Sequence, residues 1–204
     1  AWTAVALQGR AGSCRIFLTR RCGFGRLPAR TATRKPDGMV RYRRNRVPGG
    51  TYFFTITLRD RRSDLLVRHV GQLKASWRQA RARYPHQVVA AAVLPDHLHA
   101  VITMADDACD YAGLWREVKK GFTRDVASDG PSPWQSRFWE HTIRNADDLA
   151  AHVAYVHLNP VKHGLVERVP DWPHSTFHRY VRDGLVAPDW SGVGVRFPRL
   201  QTGE

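Results

Sequence analysis

The chain has 204 residues, 43% of them hydrophobic, which is enough to bury a core and excludes a chain that is disordered throughout. Its 32 Lys and Arg against 18 Asp and Glu give a net charge of +14, which favours a polyanionic partner over a merely solvated basic surface. No apolar run reaches the roughly 20 residues of a membrane-spanning helix, and the scattered Cys14, Cys22 and Cys109 fit neither a disulfide framework nor a zinc knuckle, which predicts a reducing cytoplasm.

Residues 1–38 differ in composition from the rest of the chain. They are rich in arginine, contain no acidic residue before Asp37 and show little hydrophobic periodicity. Such a leader is typical of organelle-targeting segments, but Met39 is a plausible natural start, and upstream sequence translated with it is the simpler interpretation. We expect a poorly ordered basic arm over residues 1–38 and one domain with an aromatic C-terminal tail over residues 39–204.

The first half of the domain predicts three strands and one helix. Tyr52 to Leu58 is a run of aromatic and β-branched residues and predicts a strand. Leu65 to Tyr84 carries apolar residues near helical spacing and predicts a helix. Two short apolar runs, Val88–Leu94 and Leu98–Met104, flank a Pro-Asp turn and predict neighbouring strands of a buried sheet.

The second half predicts a helix, a strand and a further helix. The residues from Tyr111 to Val126 have one apolar side and predict a helix, and Trp134 to Ile143 predict a fourth strand. Asn145 is a suitable N-cap for a helix over Ala146–Leu158, with two aspartates in its first turn. Pro160 is expected to end that helix or to mark a tight join to residues 161–164. The order β-α-β-β-α-β followed by a helix predicts an α+β, ferredoxin-like split fold, with one antiparallel sheet and helices on one face.

The segment Pro95-Asp96-His97-Leu98-His99 is the first candidate for chemistry. If both histidines begin a strand, the period of two points both imidazoles to the same face. Two imidazoles arranged in this way can ligate a divalent metal and leave other positions of its shell open to substrate. Surface histidines beside a turn are the alternative.

The last predicted helix supplies a second pair of candidates. Tyr155 and Asn159 are four residues apart and therefore share a helix face. A tyrosine hydroxyl can act as a nucleophile, and an asparagine carbonyl is an oxygen ligand suited to a hard metal. Each residue taken alone also fits a structural role, Tyr155 in the core and Asn159 as a helix-end cap.

Five stretches resemble known proteins. The pair of histidines resembles the His-hydrophobic-His motif of HUH nucleases, and Tyr155 to Val166 resembles the tyrosine helix of the REP-associated tyrosine transposases, relatives of the single-tyrosine insertion-sequence transposases. Tyr42–Phe53, Arg137–His141 and Asp171–Phe177 are also similar to that group. The resemblance runs in the same order from about residue 40 to residue 180 and does not include the leader.

The resemblance implies a metal-dependent endonuclease and strand transferase. His97, His99 and Asn159 would hold Mg²⁺ or Mn²⁺, and Tyr155 would be the nucleophile. Its substrate would be single-stranded DNA with REP-like hairpins, cleaved through a 5′-phosphotyrosine that conserves the phosphodiester energy for rejoining. A monomer or homodimer that acts at the nucleoid in the bacterial cytoplasm would follow.

Basic side chains are expected to support this chemistry. A free tyrosine titrates near pH 10, so a metal or a basic neighbour such as Lys162 would help it to ionise, although a solvated lysine is an equal alternative. Trp134 and Trp139 would stack bases or fill the core. The side chains predicted to hold the DNA are Arg41, Arg43, Arg44, Arg61, Arg62 and Lys162.

Other functions compete with this interpretation. A histidine-triad hydrolase would require a third histidine at position 101, where the chain has Val101, and zincins require two histidines four apart with a glutamate between them. A non-enzymatic protein that recognises structured single-stranded DNA suits the charge and the fold, with Tyr155 as a structural residue. A metal-dependent covalent adduct with DNA distinguishes the nuclease from this alternative.

Overall fold

Residues 45–105, 109–126 and 130–192 are described by the computed structural model of the chain, together with two short paired strands, β1 (Thr3–Ala4) and β2 (Leu18–Thr19). The predicted basic arm over residues 1–38 otherwise lies outside the described residues. The same is true of Arg41, Arg43 and Arg44. Among the described helices, none is both long and apolar enough to cross a membrane.

One four-stranded antiparallel sheet forms the centre of the described structure. Its strands are β3 (Thr51–Thr57), β4 (His86–Val93), β5 (His97–Met104) and β6 (Trp139–Thr142), in the order β4-β5-β3-β6. All three pairings are antiparallel, with a β-bulge in β4. The α+β, ferredoxin-like fold predicted from the order of elements is confirmed.

The strand predicted over Trp134–Ile143 is wrong in length, because only Trp139–Thr142 belongs to β6. Trp134 makes an isolated bridge with Leu58 and buries its indole in the core. The backbone N–H of Arg59 donates to the Pro133 carbonyl at 2.7 Å, which holds this segment against the end of β3. The aromatic residues that suggested a strand therefore serve partly as a core anchor outside the sheet.

Three helices cover one face of the sheet. They are α1 (Leu65–Arg68), α2 (Val70–Arg83) and α3 (Tyr111–Val126), and α2 packs against α3. The single helix predicted over Leu65–Tyr84 is wrong, since the chain breaks at His69, which has φ −115° and ψ 33°. Apolar spacing continues across the break because both pieces pack on the same core, so periodicity alone does not reveal it.

The helix α4 (Ala146–Lys162) packs on the opposite face, against β4 and β5. The predicted N-cap is confirmed, because the Asn145 side chain accepts a hydrogen bond from the backbone N–H of Asp148 at 2.9 Å. The prediction that the helix ends at Leu158 or Pro160 is wrong, because α4 continues to Lys162 with Pro160 inside it. Proline removes one backbone donor and crowds the carbonyl four residues before it, but the last turn is kept by the His163 N–H, which donates to the Asn159 carbonyl at 3.0 Å.

The C-terminal segment packs against both α4 and the sheet. It forms a short 3-10 helix at Val169–Asp171 and the helix α5 (Phe177–Arg182). The Thr176 hydroxyl lies 3.0 Å from Nε2 of His157 in α4 and accepts a hydrogen bond from the backbone N–H of Ala91 in β4. These contacts fix the position and rotation of α4 on the sheet. They therefore also fix the direction in which the other side chains of α4 point.

Candidate active site

Both histidines of the His-x-His motif lie in β5 and face α4. His97 is 1% exposed and His99 is completely buried, and their ring centroids are 4.9 Å apart. The strand period of two gives them this common face. Since neither side chain is at the surface, the alternative of two surface histidines beside a turn is wrong.

The hydrogen bonds of these imidazoles suit metal ligation. Nδ1 of His97 lies 2.7 Å from Oδ1 of Asp96, and Nδ1 of His99 lies 3.0 Å from the Thr55 hydroxyl. A ring that donates a hydrogen bond from Nδ1 carries its lone pair on Nε2, where it can bind a metal, and the acceptor of that hydrogen bond fixes the orientation of the ring. Asp96 also forms an ion pair with Arg61. Asp96 therefore links the motif to one of the predicted DNA-binding arginines.

Residues four apart along α4 and its C-terminal cap face the two histidines. The Tyr155 ring lies 5.3 Å from the His99 ring, and the His163 ring lies 5.0 Å from the His97 ring. Asn159 is completely buried and stands one helical turn from each of them, about 6 Å along the axis. The fold thus brings Tyr155, Asn159 and the two histidines to one site between β5 and α4.

Phe53 of β3 forms an aromatic wall beside this site. Its ring stacks on His99 at 5.5 Å with 17° between the planes, and it meets Tyr155 edge-on at 5.9 Å. Phe53 is completely buried, so its position is fixed by packing. It holds the orientation of His99 and of the tyrosine ring together.

Lys162 contacts the tyrosine hydroxyl. Its Nζ donates a hydrogen bond to Oη of Tyr155 at 3.1 Å and lies 4.9 Å from the centroid of the ring. An ammonium group at this distance favours the phenolate over the phenol. Lys162 is exposed, so this site is open to solvent on the side of the hydroxyl.

The donors at this site fit a divalent cation. Two imidazole nitrogens and an amide oxygen are ligands of borderline and hard divalent metals, and such a set leaves positions for phosphate oxygens. The sequence analysis assigned no role to His163 or Asp96. The spacing of 155, 159 and 163 is a signal that could have identified His163, whereas the ion pair of Asp96 with Arg61 depends on tertiary structure.

A second group of residues that could ligate a metal lies between β6 and the N-terminal half of α4. The ligand atoms of His141, Asp148 and His152 all lie within 4.8 Å of one another, so these residues could hold a cation. They also bond to one another: Nε2 of His141 is 2.9 Å from Oδ2 of Asp148, and Nδ1 of His152 is 3.0 Å from Oδ1. The group ties β6 to the tyrosine helix.

The electrostatics of this second group keep the carboxylate charged. Burial alone would raise the pKa of Asp148, but hydrogen bonds from His141 and from the Arg144 backbone N–H hold it below its ordinary value. For the imidazole of His152, burial has the opposite effect and lowers the pKa, so this side chain is neutral near pH 7. Phe53 separates His152 from the first site, with its ring 4.9 Å from the His152 ring.

The remaining predicted site residues do not converge on the tyrosine. Arg62 is solvent-exposed beside Asp60. Trp134 is 2% exposed and fills the core between the sheet and α3, whereas Trp139 is half-buried on the α4 side. Of the predicted arginines within the described residues, only Arg61 contacts the site, through Asp96.

Comparison with known proteins identifies close relatives. No protein-family model matches the chain. It is 46% identical over 154 residues to the REP-associated tyrosine transposase of Escherichia coli (strain K12), covering 76% of this chain and 92% of that protein. It is 39% identical over 166 residues to a putative REP-associated tyrosine transposase of Haemophilus influenzae, covering 76% of this chain and 94% of the relative.

A solved structure gives the same result. The structure of a REP-associated tyrosine transposase bound to a REP hairpin superposes with a TM-score of 0.75 at 44% sequence identity. The match covers 81% of this chain and 98% of that chain.

Proposed function

The chain belongs to the family of REP-associated tyrosine transposases, and from this we propose that it cleaves and rejoins single-stranded DNA beside a hairpin through Tyr155. The observation that carries the proposal is the juxtaposition of Tyr155 with the paired histidines, the tyrosine ring being 5.3 Å from that of His99. A structural tyrosine needs neither a buried His-x-His pair nor a lysine on its hydroxyl. The solved relative is bound to a REP hairpin, and we extend that partner to this chain.

Tyr155 and Lys162 have different roles in the first step, which is cleavage of the DNA strand. The Tyr155 oxygen attacks phosphorus, a new O–P bond forms, and the bond from phosphorus to the 3′ oxygen breaks. The phenol proton leaves through solvent on the side of Lys162, whose ammonium group stabilises the oxyanion from 3.1 Å. The departing 3′ oxygen takes up a proton and becomes a hydroxyl. The DNA remains bound to the protein as a 5′-phosphotyrosine.

Rejoining reverses this chemistry. A 3′-hydroxyl attacks the phosphotyrosine, the O–P bond to Tyr155 breaks, and the phenol is regenerated. The number of phosphoester bonds is unchanged, so no nucleotide hydrolysis is required. Lys162 again faces the charged oxygen as it leaves, which makes the same contact useful in both directions.

We assign the metal to His97, His99 and Asn159, with Mg²⁺ or Mn²⁺ as the ion. When bound, the ion supplies a Lewis acid that polarises the scissile phosphate. The hydrogen bonds of Nδ1 to Asp96 and Thr55 orient the two rings for this role. Asn159 is completely buried, so its side-chain oxygen is held in place by packing.

Binding and localisation follow from the DNA substrate. Arg61, Arg62 and Lys162 are the described residues that we assign to the phosphate backbone, together with Arg41, Arg43 and Arg44. The protein would act at the bacterial nucleoid, as a monomer or homodimer. We place the whole activity in residues 39–204 and expect none of it to depend on residues 1–38.

The test is metal-dependent formation of a covalent adduct. Wild-type protein incubated with hairpin-bearing single-stranded DNA and Mn²⁺ should give a protein–DNA band that survives boiling in detergent. His97→Ala should abolish this band and leave much of the hairpin affinity, since binding relies on many cations and chemistry on one ion. Full adduct formation in excess EDTA would exclude a role for the metal in the reaction. If the wild type forms no adduct on any hairpin substrate, the alternative of a non-enzymatic DNA-binding protein is favoured.

A further inference from the structure

Three potential metal ligands join the edge strand β6 to the tyrosine helix. They are His141 of β6 with Asp148 and His152 of α4, and we call them the β6–α4 cluster. Each residue places a ligand atom within 4.8 Å of those of the other two. Two imidazole nitrogens and a carboxylate oxygen are the ligand types of Zn²⁺ and similar borderline divalent cations. The cluster shares no residue with the set assigned to the catalytic ion.

The spacing within the cluster is close to that around a bound cation. Nε2 of His141 is 2.9 Å from Oδ2 of Asp148, and Nδ1 of His152 is 3.0 Å from Oδ1. A tetrahedral zinc site with bonds of about 2.0–2.1 Å places neighbouring ligand atoms about 3.3 Å apart. Each nitrogen therefore needs to separate from the carboxylate by only about 0.3–0.4 Å to admit an ion.

The two imidazoles must also turn toward each other to share an ion. Their rings are stacked, with centroids 4.7 Å apart and 14° between the planes. His152 is 1% exposed and is held against Phe53, whereas the side chain of His141 is 19% exposed. The movement therefore falls to His141, through its χ2 torsion, which has a broad energy well.

The cluster has a buried side and an open side. Among the described residues, Nε2 of His152 has no hydrogen-bond partner, so no contact at that atom fixes which ring nitrogen carries the proton. With the proton on Nε2, the lone pair of Nδ1 is available to a cation beside Asp148. The side chains of His141 and Asp148 are partly exposed, so a cation can enter from solvent and keep a water molecule as its fourth ligand.

We propose that the β6–α4 cluster is a second divalent-cation site, which binds Zn²⁺ or a similar borderline cation and fixes β6 to α4. Within the described sheet, β6 is an edge strand of four residues that pairs only with β3. A coordinated ion would add a strong link between this short strand and the helix that carries Tyr155. Phe53 separates His152 from the tyrosine, which makes the ion structural.

The experiment measures zinc binding without DNA. Full-length protein carrying His97→Ala and His99→Ala lacks two ligands of the catalytic ion, and it is freed of metal and dialysed against Zn²⁺ at micromolar concentration. One zinc ion per chain should remain bound. Adding His141→Gln, which keeps a polar side chain of similar length beside Asp148, should weaken that binding at least 10-fold. The matched control is His178→Gln, which replaces an exposed histidine of α5 and should leave the binding unchanged.

A second readout is thermal unfolding of the same proteins. Zinc at 100 times its dissociation constant should raise the melting temperature of the His97→Ala, His99→Ala protein by roughly 5–10 °C. The same zinc concentration should raise it much less once His141→Gln is added. In the wild type, His141→Gln should likewise remove one bound zinc ion per chain, which gives the test a background with both catalytic histidines intact.

Two results would overturn the proposal. If the His97→Ala, His99→Ala protein retains no zinc, the β6–α4 cluster is a hydrogen-bonded contact and not a cation site. If His141→Gln and His178→Gln change zinc affinity equally, or neither changes it, the ion is bound elsewhere on the chain. Because no DNA is present, neither result bears on the cleavage chemistry proposed for Tyr155.

Discussion

Phe53 and Phe54 are neighbours in β3 and point to opposite faces of the sheet. Substituting each of them in turn therefore distinguishes an effect on catalysis from an effect on folding stability. Both are completely buried. Phe53 contacts His99 and Tyr155, whereas Phe54 contacts Trp115 at 5.4 Å on the side of α3. We expect Phe53→Leu to impair both folding stability and cleavage, and Phe54→Leu to impair stability alone.

The expected loss of stability is similar for the two variants. Phe53 has aromatic neighbours in His99, His152 and Tyr155, and Phe54 has comparable neighbours. An aromatic contact contributes about 0.5–1.5 kcal/mol beyond the buried area, and leucine refills part of the volume. We therefore expect each variant to lose about 2 kcal/mol of unfolding free energy, which lowers the melting temperature by roughly 4–8 °C.

The expected effect on cleavage differs between them. Phe53→Leu frees His99 and Tyr155 to move, and a displacement of about 1 Å at a reacting group costs on the order of 100-fold in rate. Phe54→Leu should stay within about 3-fold of the wild type, since its ring does not touch the site. The assays are urea unfolding and single-turnover adduct formation well below either melting temperature. Equal rate losses in the two variants, or an unchanged rate for Phe53→Leu, would refute the role of Phe53.

Two further predictions concern single ionisable side chains. At saturating hairpin DNA, Lys162→Ala should slow adduct formation by roughly 10-fold or more, beyond the loss of affinity from one phosphate contact, because Tyr155 loses the cation on its hydroxyl. Lys162→Arg should restore part of the rate, and a rate for Lys162→Ala no lower than that of Lys74→Ala would count against this role. Burial lowers the pKa of His86, whose Nε2 accepts a hydrogen bond from Trp77 at 2.8 Å. As pH falls below about 6.5, the unfolded chain takes up this proton first, so stability present at neutral pH is lost between that value and the lower folded pKa. Between about pH 6.5 and pH 5.5, the unfolding free energy of His86→Gln should therefore fall less than that of the wild type. The difference between the two falls, measured by urea titration, should be up to about 1 kcal/mol. An identical pH dependence of the two proteins would contradict this assignment.

Local patterns in the sequence predicted the elements that build the site. The period of two placed His97 and His99 on one face, and helical spacing placed Tyr155 and Asn159 together. These rules depend only on the backbone geometry of a single element. The order of elements then predicted the sheet, because a split β-α-β unit leaves few arrangements for four strands.

Features that depend on contacts between distant segments were missed. His141 and Asp148 meet because β6 and α4 pack together, and no spacing in the sequence signals that contact. The break at His69 and the continuation through Pro160 are also decided by tertiary packing, which overrides local preference. The hydrogen bond from Lys119 to the Gln135 carbonyl likewise joins α3 to a segment whose path the sequence does not specify.

The most direct test of the proposed chemistry is Tyr155→Phe. The change removes one oxygen from a half-buried ring, so folding, metal binding and hairpin affinity should match those of the wild type. On hairpin-bearing single-stranded DNA with Mg²⁺ or Mn²⁺, the wild type should form a detergent-resistant adduct whose peptide carries the nucleotide on Tyr155. The variant should form none, whereas Tyr111→Phe, whose hydroxyl donates to Glu140 in the core, should retain adduct formation. An adduct formed by the Tyr155→Phe variant would contradict the assignment of the nucleophile.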